Sequence, residues 1–272
     1  MNNRLILIAL ITTTLSCNNP GRENKPSESS TNPNDPAELK FSVLNAYPHD
    51  TTAYTEGFLV HDGQLFESTG HTDSYPSSRS MFGIDDLKSD KIQTKVEIDK
   101  SKYFGEGITF LKGKIYQLTL TPGIGFIYDA KTFKKIGSFN FNSEGWGMTT
   151  DGTYLIRSDG TSNLNYHEPD DFKLVKIVGV TDNYGPVNNL NELEYINGYI
   201  YANKYETNDI LKIDPASGKV VAKANFDSLK KEVVNKYPGS EYMNGIAYDS
   251  VSKKIYITGK NWPSIYEIKF NN

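Results

Sequence analysis

Polar and apolar positions along this chain form a short pattern that occurs five times. A polar residue, usually followed by Gly, opens an apolar strand, and a turn then leads to a second apolar strand. The copies span residues 56–67, 106–119, 146–158, 191–203 and 244–258. They start about 40 to 53 residues apart, which is the spacing of propeller-blade repeats. Turns such as Asp62-Gly63 and Asn197-Gly198 favour a hairpin within each copy.

A second pair of alternating segments follows four of the five copies. These pairs are 80–85 with 92–98, 126–129 with 135–141, 165–167 with 173–178, and 210–214 with 220–226. The fifth copy is followed only by 265–270, and the alternating segment 41–46 would supply its missing outer strand. The sequence therefore predicts an all-β, five-bladed β-propeller over residues 40–272, closed by an N-terminal strand. A sandwich of about twenty short strands would leave the regular interval unexplained.

One segment departs from the β pattern. Residues 228–237 place Leu229, Val233 and Val234 at helical spacing among many Lys and Glu residues. This pattern predicts a surface helix in the loop before the fifth blade.

The first residues have the composition of an export signal. Arg4 precedes an apolar run, residues 5–15, that is too short to span a bilayer, and Leu15-Ser16-Cys17 resembles a bacterial lipoprotein cleavage box. We therefore expect residues 1–16 to be a signal peptide and Cys17 to be lipidated, which would anchor the protein on the periplasmic or surface side of a bacterial membrane. A plain signal peptide with an incidental cysteine is the alternative. Residues 17–39 are rich in Asn, Pro, Ser and Glu and are expected to form a flexible tether.

The charge of the chain disfavours one class of partner. The formal net charge is −4 and the pI is about 5.7, so no basic surface for nucleic acid is expected. We expect a monomer, although the sequence leaves self-association open.

The residues that open the repeats are expected to meet at one end of the propeller channel. These positions hold Glu56, Glu106, Trp146, Asn191 and Asn244. Nearby strand ends add Glu67, Tyr205 and Lys260. Carboxylates, amides, an amine and aromatic rings that converge on a cleft are typical of a small-ligand site. Position alone is equally consistent with polar residues that hydrate the channel.

Nine short motifs, taken together, resemble a known family. In chain order they are YTEG (54–57), ESTG (67–70), FGEG (104–107), YQLT (116–119), EGWG (144–147), SDGTS (158–162), NELEYING (191–198), NGIA (244–247) and TGKNWP (258–263). The same order is found in the plant-type glutaminyl-peptide cyclotransferases, and the resemblance covers residues 41–270. It implies a five-bladed propeller that converts the N-terminal glutamine of peptides or proteins to pyroglutamate, releases ammonia and needs no catalytic metal or other cofactor.

The resemblance also implies a role for each matching residue. Glu106 matches the family's catalytic Glu and would carry a proton from the attacking nitrogen to the departing one. Asn191 and Lys260 match positions that polarise the side-chain carbonyl of the substrate. Glu56 stands where the family has Gln and adds a negative charge to the substrate pocket. The walls of the pocket would be Tyr54, Phe104, Trp146 and Tyr205.

The residues exclude some sites and leave two other functions open. The four His residues, at 49, 61, 71 and 167, show no ligand spacing, so no zinc centre is expected. A non-catalytic propeller that binds peptide N-termini or envelope partners would use the same pocket. A lactonase-type hydrolase would instead need a catalytic Ca²⁺, and sensitivity to a chelator would reveal it.

Overall fold

Five sheets, each built on four antiparallel strands, follow one another in this computed structural model, which describes residues 35–121 and 123–271. The innermost strands contact one another in cyclic order, and the last of them returns to the first. The fold is therefore a five-bladed β-propeller, as the repeat interval predicts. The expected signal peptide, Cys17 and residues 18–34 of the expected tether lie outside the described residues.

The first three blades follow two N-terminal strands, β1 (Ala37–Glu38) and β2 (Lys40–Pro48). Blade 1 contains β3 (Thr55–His61), β4 (Gln64–Thr69), β5 (Met81–Asp85) and β6 (Ile92–Glu97). Blade 2 contains β7 (Gly105–Leu111), β8 (Lys114–Thr119), β9 (Ile124–Asp129) and β10 (Lys135–Asn140). Blade 3 contains β11 (Met148–Thr150), β12 (Leu155–Arg157), β13 (Asn163–His167) and β14 (Leu174–Gly179).

The last two blades are preceded by a small hairpin of β15 (Thr181–Asp182) and β16 (Gly185–Pro186). Blade 4 contains β17 (Leu190–Ile196), β18 (Tyr199–Lys204), β19 (Asp209–Ile213) and β20 (Val220–Asn225). Helix α1 (Asp227–Lys236) then leads to blade 5, with β21 (Met243–Asp249), β22 (Lys254–Gly259) and β23 (Ser264–Asn271).

The N-terminal strands lie on the outer edges of blades 4 and 5. Strand β2 pairs antiparallel with β23, with Phe41 opposite Phe270, and is the outermost strand of blade 5. Strand β1 pairs parallel with β20 at the edge of blade 4. This strand lies within the segment expected to be a tether. The sequence does not predict it, because two residues are too few to show an alternating pattern. Both pairings cover backbone groups that an open sheet edge would leave unpaired.

Helix α1 packs on the junction of blades 4 and 5. It buries Leu229 and Val233 in a cluster that also contains Phe226 and Trp262, and Phe41 of β2 stacks on Phe226 at 4.0 Å between ring centres. The helix predicted for residues 228–237 is confirmed within one residue at each end. Among the described residues, no helix combines the length and apolar character that a bilayer span needs.

Candidate active site

A cavity of about 210 Å³ lies where the innermost strands begin. Its lining contains every substrate or catalytic residue expected from the sequence: Tyr54, Glu56, Phe104, Glu106, Trp146, Asn191, Tyr205 and Lys260. Thr72 and Leu120 complete the lining. Sequence reasoning missed Thr72, since it lies in the loop after β4 and belongs to no repeated position.

The polar residues on the innermost strands lie at β-bulges. The pairing with the second strand of the blade shifts at Glu56 in blade 1, at Glu106 in blade 2, at Asn191 in blade 4 and at Asn244 in blade 5. A bulge leaves a residue unpaired and changes the direction of its side chain. The first three of these side chains line the cavity as a result.

The glycines that follow the polar residues let neighbouring blades approach closely. A Cβ added to Gly57 would lie 2.8 Å from the backbone N of Ile108, and one added to Gly107 would lie 2.6 Å from that of Met148. Any side chain there would push adjacent innermost strands apart. In blades 1 and 2, the polar side chain of the repeated pair therefore faces the cavity, and the Gly that follows it allows close contact with the next blade.

Lys260 and Glu56 form a buried ion pair between blades 5 and 1. The Lys260 ammonium donates to Glu56 Oε1, and Asn244 Nδ2 donates to Glu56 Oε2 at 3.2 Å. All three residues are no more than 3 % exposed, so little water screens the pair. Lys260 Nζ also lies 4.3 Å from the centre of the Tyr54 ring, which is a cation–π contact. The negative charge that Glu56 brings to the pocket is thus matched by Lys260.

Glu106 has a different environment from Glu56. It is 4 % exposed, and its Oε2 has no hydrogen-bond partner among the described residues. Burial raises the pKa of Glu106 well above its usual range, the neighbouring Glu56 raises it further, and Lys260 opposes the rise. Burial also raises the pKa of Glu56, but direct contact with Lys260 works against that rise. Of these two carboxyl groups, Glu106 therefore stays protonated up to a higher pH than Glu56 does.

Two perpendicular aromatic pairs form the walls of the cavity. Tyr54 and Phe104 meet at 84° with 6.1 Å between ring centres, and Trp146 and Tyr205 meet at 83° with 5.4 Å. Edge-to-face contacts of this kind are favourable and hold the rings in one orientation. Trp146 Nε1 also donates to Glu144 Oε2 at 2.9 Å, which further fixes the indole.

Glycines outside the repeats leave space for two of these rings. A Cβ on Gly70 would lie 2.1 Å from the Phe104 ring, and one on Gly160 would lie 2.7 Å from the Trp146 ring. Gly160 also has a φ of +75°, a conformation that favours glycine. Sequence reasoning assigned no role to either glycine, because neither ring belongs to a sequence neighbour of the glycine that it contacts.

Two serine hydroxyls donate hydrogen bonds to the backbone of cavity residues. Ser68 Oγ donates to the carbonyl oxygen of Glu106 at 2.5 Å, and Ser158 Oγ donates to that of Asn191 at 2.7 Å. The side-chain Oδ1 of Asn191 has no partner among the described residues. Asn191 is therefore held at the cavity by its backbone, and its Oδ1 can accept a hydrogen bond from a ligand.

Glu67 lies outside the cavity, so its expected position at the channel entrance is wrong. Its carboxylate accepts a hydrogen bond from Thr55 Oγ1 at 2.6 Å and contacts His49 Nε2 at 2.9 Å. Asp85 completes this group, and one ligand atom from each of His49, Glu67 and Asp85 lies within 4.8 Å of the others. We call these three residues the seam cluster. The His spacing does not reveal it, because its two carboxylates come from separate strands of blade 1.

Comparisons with known proteins agree on one family. Residues 10–270 match the family described as Glutamine cyclotransferase. An Arabidopsis thaliana protein named glutaminyl-peptide cyclotransferase is 35% identical over 233 residues, which are 85% of this chain and 71% of the relative. The crystal structure of Myxococcus xanthus glutaminyl cyclase is similar with a TM-score of 0.78 and 35% identity, over 87% of this chain and 99% of that chain.

Proposed function

Because this chain belongs to the glutamine cyclotransferase family and is a glutaminyl-peptide cyclotransferase, we propose that Glu106 transfers the proton in its reaction and that no metal takes part. The reaction converts the N-terminal glutamine of a peptide to pyroglutamate and releases ammonia. One observation carries the proposal: the buried Glu106 carboxyl has an oxygen with no partner in the described part of the chain, and it lies beside the Glu56–Lys260 ion pair in the same cavity.

The aromatic walls fold the glutamine side chain back toward its own α-amine. Tyr54 and Phe104 would bound one side of the substrate, and Trp146 and Tyr205 the other. Ring closure requires the amine nitrogen to reach the side-chain amide carbon. Holding the two groups in this geometry before reaction lowers the barrier by reducing the entropy lost in the transition state.

The negative charge of the tetrahedral intermediate develops on the side-chain amide oxygen. Asn191 Nδ2 and Lys260 Nζ are the donors assigned to this oxygen. Lys260 is fixed by Glu56, and the backbone of Asn191 is fixed by Ser158. Preorganised donors of this kind supply about 3 kcal/mol each.

Glu106 acts first as an acid and then as a base. The neutral α-amine attacks the amide carbon, and the protonated Glu106 carboxyl gives its proton to the departing nitrogen. The carbon–nitrogen bond breaks and ammonia leaves. The Glu106 carboxylate then takes a proton from the new ring nitrogen, which restores the starting state. A carboxyl group with a raised pKa suits this exchange near neutral pH.

The cavity supplies its positive charge without a metal. The described residues of its lining include Lys260 but neither His nor Cys. The ammonium of Lys260 takes the place of a cation at the Glu56 carboxylate, and the raised pKa of Glu106 lets that carboxyl group keep a proton instead. In the described part of the chain, the His and carboxylate group with ligand-like spacing is the seam cluster, which lies outside this lining.

Ammonia release tests the proposal. The purified protein is incubated with a peptide that begins with Gln and with a control peptide that begins with Asn, each with and without a chelator. We expect ammonia only from the Gln peptide, at a rate that the chelator leaves unchanged at 25 °C. A rate no higher than the spontaneous one would contradict the activity. A rate that the chelator abolishes while circular dichroism shows folded protein would contradict the metal-free mechanism and favour a Ca²⁺-dependent hydrolase.

We also propose that the protein is exported, anchored by lipid and monomeric. The lipoprotein-like box at Leu15-Ser16-Cys17 supports export and lipid anchoring at the cell envelope, with the propeller acting as a monomer. Labelled palmitate should be incorporated into the wild-type protein and not into a Cys17→Ser variant. Labelling of the variant would contradict the anchor, and a dimer in light scattering would contradict the monomer.

A further inference from the structure

The seam cluster is a buried set of donor atoms that the cyclase reaction does not use. His49 follows strand β2, whereas Glu67 and Asp85 lie on β4 and β5 of blade 1. His49 is 3 % exposed, Glu67 is fully buried and Asp85 is 9 % exposed. The backbone N–H of His49 donates to the carbonyl of Pro263 in blade 5, so the cluster lies at the seam where the ring closes.

The hydrogen bonds around the cluster orient its donors inward. His49 Nδ1 lies 2.8 Å from the carbonyl oxygen of Trp262, so Nδ1 carries the donated hydrogen and Nε2 points toward the carboxylates. Glu67 Oε1 accepts from Thr55 Oγ1, which leaves Oε2 facing His49. Metal-binding His and carboxylate groups are held by outer hydrogen bonds of this type.

Asp85 provides an independent indication of a ligand. Its Oδ2 is buried and has no hydrogen-bond partner among the described residues. A buried carboxylate oxygen without a donor is costly, and a bound cation removes that cost. Asp85 also lines a surface cavity of about 290 Å³ together with Asp86 and Asp249. This acidic cavity offers an ion a route to the cluster.

We propose that His49, Glu67 and Asp85 bind one divalent transition-metal ion, for which Zn²⁺ is the probe. Once the ion has displaced the protons of the cluster, one neutral imidazole and two carboxylates remain and balance its charge. A mixed nitrogen and oxygen donor set suits Zn²⁺, whereas Ca²⁺ and Mg²⁺ prefer oxygen donors alone. The ion would join the segment after β2 to blade 1 and would stabilise the closed ring, because it binds the folded state.

Zinc titration of the chelator-treated protein tests the site. The purified protein is freed of metal, and Zn²⁺ binding is then followed by calorimetry, with the melting temperature measured with and without the ion. We expect one Zn²⁺ per chain and a melting temperature several degrees higher at saturation. Absence of stoichiometric binding would overturn the proposal.

Substitutions at two neighbouring residues distinguish Zn²⁺ binding at the seam cluster from Zn²⁺ binding to other acidic groups of the surface cavity. Asp85→Asn keeps the side-chain volume and the His49–Glu67 contact, so the variant should fold. It should bind Zn²⁺ at least about tenfold more weakly and lose the rise in melting temperature. Asp86→Asn removes a charge from the same cavity but lies outside the cluster, and it should bind like the wild type. Equal affinity in Asp85→Asn and wild type would place the ion elsewhere and overturn the assignment.

A variant of another proposed metal ligand keeps the test possible if the first variant does not fold. If Asp85→Asn is not folded, His49→Gln provides the same comparison with the nitrogen donor removed. Binding and melting temperature are the readouts, so neither outcome depends on cyclase activity.

Discussion

The catalytic cavity and the seam cluster each bury two carboxyl groups beside one nitrogen base, yet the two groups suit different chemistry. In the cavity, the base is Lys260, whose ammonium contacts Glu56, and one oxygen of Glu106 has no partner within residues 35–121 and 123–271. In the seam cluster, the base is His49, which donates through Nδ1 and turns Nε2 toward Glu67. An ammonium paired with a carboxylate keeps its protons, whereas a metal ion can displace the Nε2 proton of an imidazole and bind its lone pair. The first arrangement therefore keeps a proton available for transfer, and the second offers lone pairs to a cation.

Replacing Glu106 should have the largest effect on turnover. We expect Glu106→Gln to lower kcat by about 10² to 10⁴-fold, because the amide cannot exchange a proton with the substrate. The fold should be retained, since Gln matches the volume of Glu and Glu106 Oε2 has no hydrogen-bond partner among the residues that the structure describes. Ammonia release measures kcat, and circular dichroism checks the fold. Loss of soluble protein would instead mean that Glu106 is structural.

The same variant has a predictable pH dependence of stability. The folded-state pKa of Glu106 is raised, so its contribution to stability is fully present below the unfolded-state pKa and is lost as the pH rises through the folded-state pKa. Glu106→Gln does not titrate. Its melting temperature should therefore increase relative to wild type from acid to alkaline pH. A constant difference across this range would contradict the raised pKa.

Replacing Glu56 should change the pH profile more than the maximal rate. Glu56 raises the pKa of Glu106, so Glu56→Gln should lower that pKa. Because turnover needs protonated Glu106, the decline of kcat/KM at alkaline pH should begin at a lower pH, with kcat at the optimum within about tenfold of wild type. If kcat/KM declines at the same alkaline pH in the variant and in wild type, Glu56 and Glu106 are not coupled.

Replacing Gly70 should have a smaller effect, mainly on substrate binding. The new Cβ of Gly70→Ala would lie 2.1 Å from the Phe104 ring and would force the ring to move. We expect a higher KM for the Gln peptide and a loss of stability of about 1 to 3 kcal/mol. Gly179→Ala is the control, because a Cβ there would have no neighbour within 4 Å in the described part of the protein. Equal KM values for the two variants would show that the wall tolerates the movement.

Changes at the seam cluster should have the smallest effect on turnover. Asp85→Asn and chelator treatment should each lower the melting temperature of the metal-loaded protein while leaving kcat at 25 °C unchanged. Asp85 lies outside the cavity lining, and the proposed ion acts on ring closure rather than on the substrate. A parallel loss of kcat in folded protein would show that the two buried groups are not independent.

The sequence by itself determined the elements that repeat locally. The period-two alternation and turn dipeptides fixed the strands of the five blades, and helical spacing fixed α1. The repeated polar openings also identified Glu56, Glu106 and Asn191, which the structure brings together. These features depend on neighbours within a few residues, so a single sequence contains the information that they need.

The tertiary structure decided what depends on contacts between blades. Glu67 and Ser68 are adjacent, but strand alternation sends Glu67 to the seam cluster while Ser68 braces Glu106. The β-bulges turn the polar openings into the cavity, and Gly70 leaves space for Phe104. The order of the pKa values of Glu56 and Glu106 depends on burial and on their distances from Lys260. Such partners lie far apart in sequence, and electrostatic interaction depends on separation in space, which no local pattern records.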